Sequence, residues 1–422
     1  MAAVALPVLA APDVDGVLAA ARGAPRPRDL CTDCGISRSS HAARCGAACQ
    51  FVHPRHASLE RQVHGRARDA ARGDEAHFGP YLEMWRARLA APRAGAQWTG
   101  LTTRLAERLL EEGLVDAVIA TASADDDRWA PVPVLVTEAR GMARCRGMKM
   151  GYSPVLALLD EAAARGYRRL AVVGVACQVH ALRALEASLG LERLYVIGTP
   201  CSDNTTTARF HDFLALLTDR PASVTYLEFM PDMHVELRFD DGGVRRIPFI
   251  RLPIAQLPAD FIPLTCRSCF DYTNALADVT VGYMAAGGDQ WLVVRNARGR
   301  ELAALLGDEV ALAPLGSRGD RRGPVRTFAR MLERQKGGMP VRRAPRWARP
   351  LIGWLQARFG PKGLEFARTR VEMKVAEGIV NLRAERPRRV RALVPEFAWE
   401  LAAPYGLVPR DGERGGTPSR ER

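Results

Sequence analysis

The chain has 422 residues, of which 47% are hydrophobic and 25% charged, the usual balance of a globular protein. That length is enough for two or three compact domains. The longest apolar runs are strand-sized, and the apolar start Met1–Ala11 has no positively charged leading segment. The sequence therefore predicts neither a transmembrane segment nor a signal peptide, and a cytoplasmic location is expected.

The formal net charge of +13 favours an anionic partner: nucleic acid, anionic lipid or an acidic protein. The sequence contains no zinc-finger, RNP or basic-zipper pattern, which argues against a nucleic-acid-binding function. An acidic electron carrier such as ferredoxin fits the charge at least as well.

The first half of the chain becomes regular only after about 95 residues. Residues 1–55 are rich in loops and cysteines, and residues 56–95 are Arg-rich with little hydrophobic periodicity, which predicts loop and short helix. The elements predicted next are helix Thr103–Glu112, strands Asp116–Thr121 and Val132–Thr137, helix Pro154–Arg165, strand Leu170–Val175, helix Val179–Leu189 and strand Arg193–Ile197. This alternation favours an α/β fold with a mostly parallel sheet core and surrounding helices.

The second half begins with alternation over Val224–Phe239. Because two aspartates and two glycines precede Val244–Ile250, the pattern predicts a β-hairpin insertion. A further strand is predicted at Asp278–Tyr283. From about Arg318 the chain is basic and mostly helical, and from Asp411 it is polar, which predicts a disordered tail.

Five apolar residues of the basic region recur at helical spacing: Trp347, Leu351, Trp354, Leu355 and Phe359. Such a stripe suits a cover over a substrate or a contact with a membrane interface. Packing in a helical core is the interpretation that we favour.

The first cysteine group has four thiols within nineteen positions: Cys31, Cys34, Cys45 and Cys49. Without a secretory signal, a disulfide framework is not expected, and Cys-x-x-Cys spacing indicates metal or redox chemistry. Four thiolates can enclose a tetrahedral zinc ion or a 4Fe-4S cluster, and spacing alone does not distinguish the two.

The second group is dispersed and consists of Cys177, Cys201, Cys266 and Cys269. Two of these follow predicted strands, where an α/β sheet presents ligands at its carboxyl edge. Cys177 alone would fit equally well as a buried core thiol. The ninth cysteine, Cys145, lies between Arg144 and Arg146, whose charges are expected to lower its thiol pKa. We assign it no catalytic role.

Two stretches, Gly174–Arg183 and Cys266–Asp278, resemble the beta-subunit family of deazaflavin-dependent hydrogenases and dehydrogenases. The resemblance covers roughly residues 28–305 and continues into Gly360–Arg368. Gly198–Thr207 and Val281–Tyr283 are closer to a chlorophyll branch of that family. Members of this branch use ferredoxin to reduce either the 8-vinyl group of divinyl (proto)chlorophyllide or 7-hydroxymethyl chlorophyll a. One difference is Ala176, where the family usually has proline.

The resemblance implies two 4Fe-4S clusters, one on each cysteine group, and one FAD. It also divides the chain into five segments: a cysteine-bearing N-terminal segment (1–95), a flavin-associated region (96–165), an iron–sulfur and flavin domain (166–317), a basic helical region (318–410) and the tail (411–422). Amides, hydroxyls and a cation suit a flavin. The candidates for these contacts are Thr99, Gly100, Thr103, Thr137, Lys149 and Ser153.

Reduction of such a pigment also needs a proton donor, and weak candidates near the cysteines are His180, Asp203, Asp271 and Tyr272. The expected function is reduction of the 8-vinyl group with electrons from ferredoxin, and the expected substrate is a tetrapyrrole. The alternatives are reduction of a 7-hydroxymethyl group and, from another class, a zinc-stabilised nucleic-acid-binding protein. Peripheral contact with a photosynthetic membrane surface and homo-oligomerisation stay open.

Overall fold

The computed structural model describes residues 17–19, 30–230, 232–282, 288–317, 322–338 and 345–414. The strands in this part of the chain are β1 Val17–Ala19, β2 Glu83–Leu89, β3 Ala117–Ser123, β4 Pro131–Val136, β5 Arg169–Gly174, β6 Arg193–Gly198, β7 Val224–Phe229, β8 His234–Phe239, β9 Val244–Pro248, β10 Val279–Gly282, β11 Gln290–Val294 and β12 Val310–Pro314.

The helices are α1 Cys45–Ala48, α2 His56–His64, α3 Glu75–Phe78, α4 Leu101–Glu111, α5 Leu158–Ala164, α6 Ala176–Leu185, α7 Thr207–Leu217, α8 Leu264–Arg267, α9 Ala297–Ala304, α10 Arg322–Gln335, α11 Arg349–Phe359, α12 Leu364–Glu385, α13 Val390–Leu393 and α14 Glu396–Ala402. Among the described helices, none combines the length and hydropathy that crossing a bilayer requires.

Nine strands form one mixed sheet in the order β1-β4-β3-β5-β6-β10-β11-β2-β12. The four central strands β3, β5, β6 and β10 run parallel, with Ala171 of β5 opposite Tyr195 of β6. Antiparallel pairs extend the sheet on both sides. Parallel strands are buried on both faces, so their sequences are nearly continuous runs of apolar residues. The predicted α/β fold with a parallel core is confirmed.

Side chains of β6 alternate between two cores on opposite faces of the sheet. Tyr195 and Ile197 join α4 and α9 in one core, whereas Leu194 and Val196 join α5 and α6 in the other. Helix α12 packs in a third core with residues of β11 and of the loop after α8. The carboxyl edge of the parallel strands therefore lies among three packed layers, which fixes the position of loops that leave it.

The predicted helices and strands of residues 103–197 are all present, with ends shifted by a few residues. The prediction of only loop and short helix for residues 56–95 was wrong, because β2 lies within it and pairs with β11 and β12. In β2, Ala87 and Leu89 are buried while Arg86 and Arg88 are exposed. Because arginines occupy the exposed face of this strand, its apolar residues were too few to be recognised as the alternating pattern of a strand.

The hairpin insertion is present as a three-stranded antiparallel sheet, β7-β8-β9. The run Val224–Phe239 is two strands and not one, since Met230 and His234 are joined by a backbone hydrogen bond of 2.7 Å that closes a turn between them. Strand β10 ends at Gly282, and Tyr283 lies outside the described residues.

Two predictions for the C-terminal region were wrong. Helix α11 has no buried residue, so the stripe from Trp347 to Phe359 does not pack in a helical core. At the start of the tail, Glu413 lies 2.6 Å from Arg383 in an ion pair, so disorder does not begin at Asp411. Residues 415–422 and Met1–Ala11 are outside the described part of the chain.

Candidate metal centre

The dispersed cysteines meet at the carboxyl edge of the parallel sheet. Cys177 lies in the first turn of α6, directly after β5, and Cys201 follows the end of β6 by three residues. The loop after α8 reaches the same edge, because the backbone N–H of Cys201 donates to the Tyr272 carbonyl at 3.0 Å. Cys266 lies in α8, and Cys269 follows it, with its N–H 3.2 Å from the Cys266 carbonyl.

The four thiols of this group lie close enough to influence one another's acidity. Burial raises the pKa of Cys201, and the thiols of Cys266, Cys177 and Cys269 raise it further. Burial raises the pKa of Cys177 to about 12, and Cys269 contributes to that shift. Since like charges at short range oppose ionisation, four such thiols need a cation before they can act as thiolates. A metal supplies that charge and deprotonates the thiols that bind it.

The first cysteine group forms a second cluster of thiols. The pKa of Cys34 is raised to about 12, mainly by burial, and the thiols of Cys49, Cys45 and Cys31 contribute to that shift. The loop is fixed by Gly35, whose φ of +109° favours glycine.

The space beside Gly35 is closed as well. A Cβ there would lie 2.4 Å from the Ala157 backbone nitrogen. The Cys34 carbonyl accepts a hydrogen bond from the N–H of Leu156 at 3.0 Å. Cys34 is therefore held tightly against the segment that precedes α5.

Contacts between the two groups place them side by side. The Thr32 hydroxyl bonds the Cys177 thiol, and the thiols of Cys34 and Cys49 raise the pKa of Cys177. Gln50 Nε2 lies 3.6 Å from Cys269 Sγ. The residues that follow Cys31 and Cys49 in sequence thus contact sulfurs of the other group, as hydrogen-bond donors around an iron–sulfur cluster do.

Charged side chains of α12 complete the surroundings of the second group. Lys374 is 1% exposed, and its Nζ donates to the Cys266 carbonyl at 2.5 Å and to Asp203 Oδ1 at 2.8 Å. Arg370 Nη2 pairs with Asp203 Oδ2 at 2.5 Å. Burial raises the pKa of Cys266 and Cys269, Asp203 raises that of Cys266 further, and Lys374 opposes the shift at both thiols. Both cations are paired with Asp203, so their charge is partly neutralised beside this centre.

The chemistry of the donor sets suits a metal centre, because each group has four thiols. All nine cysteines are free thiols, and all lie in the described part of the chain. Within that part, no three His, Cys, Asp or Glu side chains converge as the ligands of a single ion do. Four thiols can hold either a zinc ion or a 4Fe-4S cluster, and the arrangement of each group is compatible with both.

The predicted proton donors have structural contacts. His180 Nδ1 donates to the Ala48 carbonyl at 3.1 Å, its Nε2 accepts from the Arg55 N–H at 3.2 Å, and burial lowers its pKa to about 3. It is therefore a neutral histidine with both nitrogens occupied. Asp203 is held by α12, and the Tyr272 carbonyl accepts from Cys201.

Asp271 differs from these three. It is fully buried and accepts two hydrogen bonds from the Ala275 N–H, at 3.0 and 3.1 Å. Burial raises its pKa, although Arg68 and Arg295 oppose the shift. Among the four candidates it is the one whose environment favours a protonated carboxyl.

Three of the predicted flavin contacts have hydrogen bonds within the protein. Thr99 Oγ1 donates to Gln290 Oε1 at 2.5 Å, and Lys149 Nζ donates to the Cys145 and Arg146 carbonyls at 2.6 and 2.7 Å. Ser153 accepts from Thr121 Oγ1 at 3.0 Å. These side chains bond within the protein.

The remaining flavin candidates differ in position. Gly100, with φ +83°, precedes α4, and Thr103 is buried in that helix. Thr137 follows β4, which is antiparallel to β3, so it lies at the edge opposite Cys177. Thr137 therefore lies away from the cysteines, and the flavin contacts of the other five residues stay a prediction.

The prediction that flanking arginines lower the thiol pKa of Cys145 was wrong. Burial raises the pKa of its thiol to about 11, and Lys149 and Arg144 only partly oppose that shift. Desolvation outweighs the flanking charges, since the thiolate would have to form away from water.

Sequence reasoning also missed Tyr152. Burial raises the pKa of its phenol, and the thiols of Cys266, Cys177 and Cys31 contribute to that shift. In the sequence, the only signal for this position is that it directly precedes Ser153, a predicted flavin contact.

Comparisons with known proteins agree with this arrangement. Residues 84–160 match the N-terminal model of the family described as coenzyme F420 hydrogenase/dehydrogenase, beta subunit. Residues 167–313 match the C-terminal model of the same family. Coenzyme F420 is a deazaflavin, so this is the family that the cysteine motifs resemble.

Two relatives cover most of the chain. The 7-hydroxymethyl chlorophyll a reductase of Oryza sativa subsp. japonica is 38% identical over 392 residues, which are 90% of this chain and 83% of the rice protein. The uncharacterized protein all1601 of Nostoc sp. is 36% identical over 381 residues, which are 90% of this chain and 94% of that protein.

A solved structure, the F420-reducing NiFe hydrogenase complex from Methanosarcina barkeri, shares the fold. One of its chains matches with a TM-score of 0.50 and 22% identity, over 60% of this chain and 87% of that chain. The chain described here therefore belongs to the coenzyme F420 hydrogenase/dehydrogenase beta-subunit family, in the branch that includes the rice reductase.

Proposed function

We propose that this chain is an iron–sulfur flavoprotein oxidoreductase that takes single electrons from reduced ferredoxin. Its substrate would be divinyl (proto)chlorophyllide, reduced at the 8-vinyl group during (bacterio)chlorophyll biosynthesis. The observation that carries the proposal is the meeting of two four-thiol groups at one edge of the sheet. The rice relative is named as a reductase of a chlorophyll, which supports a tetrapyrrole substrate.

In this proposal Cys31, Cys34, Cys45 and Cys49 hold one 4Fe-4S cluster, and Cys177, Cys201, Cys266 and Cys269 hold the other. When bound, the clusters would carry single electrons and FAD would collect two of them for the pigment. The contacts of Thr32 with Cys177 and of Gln50 with Cys269 support a short path between the two groups. Lys374, which opposes the rise in pKa of Cys266 and Cys269, would offset part of the negative charge of the second group.

The substrate needs a proton as well as electrons, and we propose Asp271 as its source. Burial raises its pKa, which favours the protonated carboxyl. His180 and Asp203 have hydrogen bonds or ion pairs that a proton transfer would disrupt.

Reduction of 7-hydroxymethyl chlorophyll a is the second candidate, because that is the named activity of the rice relative at 38% identity. The abundance of Arg and Ala is typical of a GC-rich bacterial genome, and a bacterium that makes bacteriochlorophyll needs the vinyl reductase. That context favours the 8-vinyl group. The zinc-stabilised nucleic-acid-binding alternative has no support among the named relatives, which are oxidoreductases or subunits of them.

Cofactor content is the first test. The full chain, purified anaerobically, should contain about eight iron atoms, about eight sulfides and about one FAD. Cys177→Ser should lose roughly half of the iron, whereas Cys145→Ser, a buried thiol outside both groups, should lose none. A colourless protein that contains zinc would contradict the proposal.

Turnover is the second test. The purified protein is incubated with reduced ferredoxin and either divinyl protochlorophyllide or 7-hydroxymethyl chlorophyll a, and the pigments are separated by chromatography. We expect loss of the divinyl pigment and gain of its 8-ethyl product. Loss of the hydroxymethyl pigment alone would reverse the assignment, and Cys177→Ser should abolish either reaction.

A further inference from the structure

Helix α11 exposes an unusual amount of apolar surface. Five large side chains near or within it are 42–82% exposed: Trp347, Leu351, Trp354, Leu355 and Phe359. Single exposed apolar residues are ordinary on a protein surface, but a contiguous group of this size marks an interaction site.

These side chains share one face of the helix. Leu351, Trp354 and Leu355 are three and four positions apart, the spacing that brings side chains onto one stripe. The rings of Trp354 and Phe359 contact each other edge to face, with centroids 6.0 Å apart. Gly353 lies on the opposite side of the helix, where a Cβ added to it would be 3.2 Å from Ile250 Cγ2. The helix is attached through its other side and presents its apolar face outward.

The same segment carries only positive charge. From residue 334 to 364 the sequence contains no Asp or Glu and eight cations: Arg334, Lys336, Arg342, Arg343, Arg346, Arg349, Arg358 and Lys362. Arg342, Arg343 and the side chain of Arg346 lie outside the described part of the structure and are counted from the sequence. A surface that combines this charge with exposed Trp and Leu complements a partner that is both anionic and able to take up apolar side chains.

We propose that α11 is an interfacial helix that binds the surface of a bilayer containing anionic lipid. Its apolar face would enter the boundary between headgroups and acyl chains, while the arginines contact lipid phosphates. Tryptophan suits this depth because its ring is apolar and its N–H is polar. A symmetric contact with a second copy would place two such cationic segments together and is disfavoured by repulsion. The inference stands independently of the proposed reaction.

Vesicle flotation of the full chain tests this helix. Phosphatidylcholine vesicles are compared with vesicles of phosphatidylcholine and phosphatidylglycerol, at low and high salt. We expect binding to the anionic vesicles, weakened by salt. The double variant Leu351→Ser, Trp354→Ser should bind at least about tenfold more weakly. Arg358→Glu should lose most of the preference for phosphatidylglycerol.

The matched control is Val244→Ser, which removes a side chain 58% exposed on β9 and should bind as the unchanged chain does. Circular dichroism and thermal melting confirm that each variant is folded. Absence of binding to either vesicle, or equal binding by the double variant, would overturn the proposal. Self-association that the double variant abolishes, without vesicle binding, would assign the helix to a second copy instead. Reductase activity does not enter these readouts, so failure here leaves the proposed reaction untouched.

Discussion

Lys374 Nζ lies 2.8 Å from Asp203 Oδ1, and this contact joins α12 to the loop that carries Cys201. Lys374 belongs to a part of the chain beyond residue 313, where the match to the family models ends. The C-terminal helical region therefore supplies buried positive charge to a centre whose cysteines come from the matched family domains and from the N-terminal segment. The same amine also donates to the Cys266 carbonyl, so α12 contacts two of the loops that carry cysteines.

Lys374→Met should lower the reduction midpoint potential of one cluster and leave the other unchanged. Loss of a nearby positive charge destabilises the reduced, more negative form of a cluster. At an effective dielectric constant of about 20, such a charge contributes on the order of 2 kcal/mol, or roughly 90 mV for one electron. A redox titration followed by electron paramagnetic resonance measures both potentials.

Lys362→Met is the control for this titration, because Lys362 is an exposed lysine beside α12. It should leave both potentials unchanged, and Lys374→Arg should restore most of the shift. Equal potentials in Lys374→Met and the unchanged chain would show that the amine only supports α12.

The sequence could predict the second cysteine group because two of its members follow strands that pair in parallel. Because β5 and β6 are neighbouring parallel strands, their carboxyl ends lie side by side. Cys177 and Cys201 follow these two ends and therefore lie close together. The contacts of Lys374 and Arg370 could not be predicted in this way. They depend on how a helix about 170 positions away in sequence packs across the sheet edge, and the polar residues in its buried face give it no clear apolar periodicity.

Gly35→Ala should unfold or loosen the first cysteine group. The alanine must adopt φ near +109°, and its Cβ would meet the Ala157 nitrogen at 2.4 Å. A strained backbone of this kind costs on the order of 1–3 kcal/mol, and the clash with fixed backbone adds to that cost. Denaturant unfolding should show the loss of stability, and iron analysis should show loss of about one cluster.

Gly46→Ala is the matched substitution, since Gly46 lies in the same cysteine group and its added Cβ meets nothing within 4 Å. It should keep both the stability and the iron content. If Gly35→Ala behaves in the same way, the tight approach of the Cys34 loop to α5 is not needed for cluster binding.

The last prediction concerns acid stability and the Arg183–Asp278 pair, whose side chains are both 0% exposed and lie 2.8 Å apart. Burial alone would raise the pKa of Asp278, but Arg183, Arg298 and the Asn296 amide outweigh it and hold the pKa below 3.8. Removing one partner of a buried pair costs about 3–5 kcal/mol, so Asp278→Asn should destabilise the chain by that amount at neutral pH.

The pH dependence follows from the sign of that shift. Because the unfolded chain binds the proton of Asp278 more readily than the folded chain, the stabilisation is complete well above pH 3.8 and is lost as the pH falls below it. The difference in unfolding free energy between the unchanged chain and Asp278→Asn should therefore shrink below about pH 4. Asp241→Asn, which breaks an exposed pair with Arg220, should show at most a small difference, because solvent screens the pair even though Arg220 lowers the pKa of Asp241. If the difference in unfolding free energy between the unchanged chain and Asp278→Asn stays constant from pH 7 down to acidic pH, Asp278 stabilises the fold through its hydrogen bonds and not through its charge.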